Sequence, residues 1–122
     1  MQGTATYREQ SRIFLAQAYE EFFAKGDLPQ ASEKGWGAAA QMVKAVAQQR
    51  GWRHSTHRAL LGAVTALRRE TGDSELSVQF SAASSLHMNF YEIEYPPDYI
   101  EDLLQQVEQF VNKAEGLLHS GA

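Results

Sequence analysis

The sequence predicts an all-α fold: an up-and-down antiparallel bundle of four long helices plus one shorter helix, forming a single domain over residues 1–122. Three observations lead there. Apolar residues recur at the helical step in five successive segments. No segment alternates apolar and polar residues as a half-buried strand does. The segments are separated by glycine, aspartate and proline punctuation, with linkers of two to six residues, a length that favours antiparallel neighbours.

The first helix spans 5–25. Phe14, Ala18 and Phe22 recur every four residues, and Leu15 and Tyr19 widen the stripe. Gly26 caps its C-terminus, because glycine enters the left-handed region at low cost. Asp27 then caps a second helix over about 28–50, with Pro29 tolerated in its first turn. This helix is rich in small residues: Ala31, Gly35, Ala38, Ala39 and Met42 share a broad face, followed by Val43 and Val46. Gly35 and Gly37 each cost about 1 kcal/mol relative to alanine in a helix interior. Close approach of a neighbouring helix backbone, or a ligand against the bare backbone, would offset that cost. Trp36 between them reads as a core or interface anchor.

Gly51 closes the second helix. Ser55 or Thr56 caps a third, running to about Arg69, with Leu60, Leu61, Val64 and Leu67 facing inward. Gly72 ends it, and Asp73 or Ser74 opens a fourth carrying Leu76, Phe80, Ala83 and His87 on one face. Pro96 and Pro97 stop the fourth helix, since proline lacks an amide proton and clashes with the preceding turn. The last helix begins at Asp98 and has the cleanest stripe: Ile100, Leu103, Leu104, Val107, Val111, Ala114 and Leu118.

The 122 residues suit one hydrophobic core. No apolar run approaches the roughly 20 residues of a bilayer span, and the N-terminus lacks the layout of a secretory signal. The chain has no cysteine, which excludes disulfides and thiolate-based zinc sites. The expected setting is the cytoplasm, away from membranes, with no metal or other cofactor.

The formal charge of −4 hides a segregated chain. Between Glu33 and Glu70 there is no acid, and there are seven bases: Lys34, Lys44, Arg50, Arg53, Arg58, Arg68 and Arg69. From Glu70 onward, ten acids face one base, Lys113. Such asymmetry concerns partners rather than fold. Arg50, Arg53, His54, His57 and Arg58 gather with Trp52 at the junction of the second and third helices. A helix N-terminus already favours anions, so added guanidinium groups suit a phosphate or a carboxylate. A solvated loop paired with the acidic last helix is the competing reading. A second constellation, LHMNFYEIEY over 86–95, brings His87, Asn89 and Tyr91 as ligand-binding candidates. If His87 meets His57 across the bundle, the pair would make a buried polar network, an anion pocket or a weak metal site. No phosphate loop, HExxH pair or nucleophilic triad stands out, and no catalytic residue is assigned.

The run ASEKGWGAAAQMVKAVAQQRGW (31–52), then STHRAL (55–60), then LHMNFYE (86–92), resembles the HEPN superfamily, closest to its small PaREP-type archaeal branch. The likeness covers roughly residues 10–118. It implies a four- to five-helix bundle, usually a homodimer, often working beside a nucleotidyltransferase in a two-protein module of the toxin–antitoxin kind. Some members are metal-independent RNases that carry Arg, four to six residues, then His on a late helix. Here the late helix has His87, but no arginine occurs from 70 to 122. The resemblance therefore implies a non-catalytic binding protein with a nucleotide, phosphate or RNA pocket, and RNase activity is the alternative. A third reading docks the basic middle of one copy on the acidic end of another.

Overall fold

The structure is a computed structural model that describes residues 3–91 and 94–120, leaving aside the side chains of Tyr91, His119 and Ser120. Among the described residues all regular structure is helical. The elements are α1 (Thr4–Tyr19), continued by a π-helical turn (Glu20–Lys25), α2 (Leu28–Arg50), α3 (His57–Thr71), α4 (Glu75–Tyr91) and α5 (Pro97–Ser120). The caps follow the local chemistry. Asp27 accepts the Gln30 amide, Thr56 accepts the Ala59 amide, and Asp73 accepts the Glu75 amide. Gly26, Gly51 and Gly72 take positive φ and end the preceding helices. Pro97 opens α5 instead of only ending α4, since the first position of a helix needs no amide proton. The two residues after Tyr91 lie outside the described set.

α2 is the central rod. Met42, Val43 and Val46 are buried on it, against Leu67 of α3, Leu76, Phe80 and Leu86 of α4, and Leu104, Val107 and Phe110 of α5. Both helix glycines have a packing cause, though through side chains and not a neighbouring backbone. A Cβ on Gly35 would lie 2.7 Å from Leu104 Cδ2 and 2.9 Å from Leu86 Cδ1, and one on Gly37 would lie 2.9 Å from Phe14 Cδ2. Both leucines are fully buried, so their methyl groups can retreat only by displacing packed neighbours. Gly35→Val is therefore expected to destabilise the fold by about 1–3 kcal/mol despite its better helix propensity, read as a lower urea midpoint.

Three connections are hairpins, and one is not. Ser11 donates to the Ala38 carbonyl, Asn89 donates to Ser32, and Tyr19 donates to Glu108. These pairings set α1 against α2 and α5, and α4 against α2, in opposite directions. α3 instead runs the same way as α2. His57 at its start meets Trp36, while Glu70 near its end meets Arg50. Residues 51–56 thus pass back along the flank of α2, from the level of Arg50 to that of Trp36. Short linkers favour hairpins, but an extended segment rises about 3.3 Å per residue, more than twice the helical rise, so six residues suffice for the return.

Candidate functional site

The returning segment builds a recess on the outer flank of α2. Glu33, Trp36, Ala40, Gln41 and Lys44 line one wall at helical spacing, and His54, Ser55, Thr56, His57 and Leu60 close the other, with His87 reaching in from α4. Its volume is about 330 Å³. Trp36 is the platform. The His57 ring stacks on it at 5.2 Å and the His87 ring at 4.8 Å, with interplanar angles of 29° and 27°. Phe80 supports the indole from the core side at 5.7 Å. Glu33 Oε2 lies 3.2 Å from His87 Nδ1 and so orients that ring. His54 is fixed by its Nδ1 contact with the Trp52 carbonyl at 3.0 Å and by an edge contact with Tyr7.

The other sequence candidates fall elsewhere. Arg50 is engaged structurally: its guanidinium donates twice to Glu70, at 3.0 and 2.7 Å, and also to the Leu117 carbonyl. That hydrogen bond holds the Glu70 carboxyl below its ordinary range. The link ties together the C-terminal ends of α2, α3 and α5. Arg53 and Arg58 are exposed and border a separate groove beside Trp52. Asn89 is buried, with both ends of its amide used inside the fold. The Tyr91 side chain lies outside the described residues. Sequence reasoning did not single out Glu33, Gln41 or Lys44 as site residues, and read Trp36 only as an anchor. The one signal was their shared spacing with Trp36 along a single helix flank.

The recess offers one carboxylate, three imidazoles, two of them stacked on an indole, one ammonium and two hydroxyls. That set suits a flat ring with an attached anion. Among the described residues no three side chains of metal-ligating type cluster, and no helix is long and apolar enough to cross a membrane. In addition, the Tyr19 phenol is raised well above its ordinary range, mainly by burial and then by its hydrogen bond to Glu108. It serves the α1–α5 contact, remote from the recess.

A search of curated proteins gives no match. Among solved structures, the chain is similar to a crystal structure of a protein from Sulfolobus solfataricus, with a TM-score of 0.77 and 25% identity, covering 88% of this chain and 94% of that one. The model of the archaeal PaREP1/PaREP8 family matches residues 6–111. The match takes in α2, the returning segment, α3 and α4, and thus every residue of the recess: the chain belongs to the archaeal PaREP1/PaREP8 family.

Proposed function

We propose that the chain is a non-catalytic, HEPN-like binding protein, cytoplasmic and homodimeric, whose recess takes a nucleotide or a similar phosphate-bearing ring. One observation carries this reading: His57 and His87, from different helices, both stack on Trp36 in a single recess. The aromatic surface suits a base. Lys44 and the positive end of the α3 dipole suit its phosphate. Exposed Ile13 on α1 and Phe23 on its π-helical continuation are consistent with a second copy, and a nucleotidyltransferase as further partner is an extension of the HEPN likeness.

A nucleotide panel tests the pocket. At ten times its Kd a ligand adds about 1.4 kcal/mol, so the melting temperature is expected to rise by about 5 °C. His57→Ala and Lys44→Ala should each remove most of that rise. In a Trp52→Phe background, Trp36 becomes the sole tryptophan and its emission should change on binding. No shift with any nucleotide at millimolar concentration, and no change in emission, overturns the reading.

One observation favours the RNase alternative. Glu33 orients His87, as a carboxylate orients a general base. Structured RNA incubated in chelator decides it: cleavage lost on His87→Gln supports an RNase, and intact RNA dismisses it.

A further inference from the structure

A second groove lies on the other side of Thr56. Its volume is about 490 Å³, and it is bounded by Trp52, Arg53 and Arg58. Ala59, Gly62 and Ala66 form its floor. Thr56 borders this groove and the Trp36 recess alike, so the two hollows adjoin across one residue of the returning segment.

The charges of the chain divide sharply between used and unused. Arg8 and Arg12 reach Glu115, Lys25 reaches Glu21, and Lys113 reaches Asp73 and Glu75. Arg50 is bound to Glu70. Arg53 and Arg58 are exposed and pair with no acid among the described residues. Two unused guanidinium groups therefore flank a groove with a tryptophan at one side and a floor without polar side chains. Such a groove accepts a flat ring and holds the anion attached to it.

We propose that the two hollows form one tract for two flat rings joined through phosphate. One ring lies at Trp36 and the other beside Trp52, and the bridge crosses at Thr56. The proposal rests on the nucleotide reading of the recess and deepens it, since a single nucleotide fills only one half. Both a free dinucleotide and a stretch of single-stranded nucleic acid present this chemistry.

The test compares binding of AMP, 5′-phosphorylated ApA, and the corresponding A4 and A8 oligomers to the full chain. The phosphorylated dinucleotide is expected to bind at least about tenfold tighter than AMP. Arg53→Ala combined with Arg58→Ala should reduce this advantage to less than about twofold while AMP affinity stays within twofold. Gly62→Leu should do the same by filling the groove. A Cβ at Gly62 meets nothing within 4 Å and leucine favours the helix, and an unchanged urea midpoint would show that this variant keeps the fold. A gain that stops at two units identifies a dinucleotide. A gain that grows with length identifies a strand, provided the same substitutions abolish it. Equal affinity for AMP and the dinucleotide overturns the proposal and leaves the recess reading intact, as does a gain that survives the substitutions. Failure of AMP and all the longer ligands to bind, together with no shift from any other nucleotide of the panel, overturns both.

Discussion

Phe80→Ala is expected to cost about 3–5 kcal/mol of stability, the usual penalty for emptying a fully buried phenyl site. Phe80 is 1% exposed and sits between Phe110 at 5.4 Å and Trp36 at 5.7 Å. Its neighbours come from α2 and α5 and cannot all close on the void, so the transfer loss and the cavity term both apply. A domain of this size has about 5–15 kcal/mol in total, so the variant should lie near the edge of folding. Urea denaturation would show a much lower midpoint at unchanged slope. Phe80→Leu should recover much of the loss. A penalty below about 1 kcal/mol would mean that the core beneath Trp36 is not packed as described. The same substitution removes the support of the indole, so any ligand of the recess should bind more weakly even at temperatures where the variant is folded.

Asn89→Ala is the second large effect, expected at about 2–4 kcal/mol. The Asn89 side chain donates to Ser32 Oγ at 2.8 Å and accepts the Tyr95 amide at 2.8 Å. One amide thus joins α2, α4 and the segment that leads into α5. Alanine would remove both bonds and leave Ser32 buried with its hydroxyl deprived of this partner. Leaving a buried polar group without a partner costs about 1–3 kcal/mol, and two bonds are lost here. Calorimetry of the variant should show the drop. Ligand affinity in the folded variant should be unchanged, because Asn89 does not line the recess. A loss of affinity without a loss of stability would return Asn89 to the ligand-binding set.

The two variants also show which features local sequence could reveal. The apolar stripes, the caps at Asp27 and Thr56 and the three glycine stops are local, and each was legible because one residue or one period decides it; Leu61, expected on the inner face of α3, is the exception, 44% exposed because the buried face there runs through Leu60, Ala63, Val64 and Leu67. The π-helical turn at Glu20–Lys25 was not, since no side-chain pattern distinguishes it from the α-helix before it. The parallel course of α3 was also hidden. Linker length limits how far two ends can separate, but it does not choose between a hairpin and an extended return. That choice decided the site. It placed His57 opposite Trp36, and it sent Arg50 to Glu70, away from the histidines it adjoins in sequence. Asn89 lies close to His87 along the chain yet turns inward, because Ser32 and the Tyr95 amide need a partner there.

α2, α4 and α5 each begin beside an acid, respectively Asp27, Asp73 and Asp98. α3 has no acid in its first turn and places Arg58 there. Its peptide dipoles therefore end in a positive pole with no acid of its own first turn beside it, which forgoes a stabilisation of about 0.3–1 kcal/mol. An anion settling at that pole would return this energy and firm the first turn of α3, so occupancy and fraying are thermodynamically linked. Amide exchange at the opening of α3 would then report whether the pole is filled.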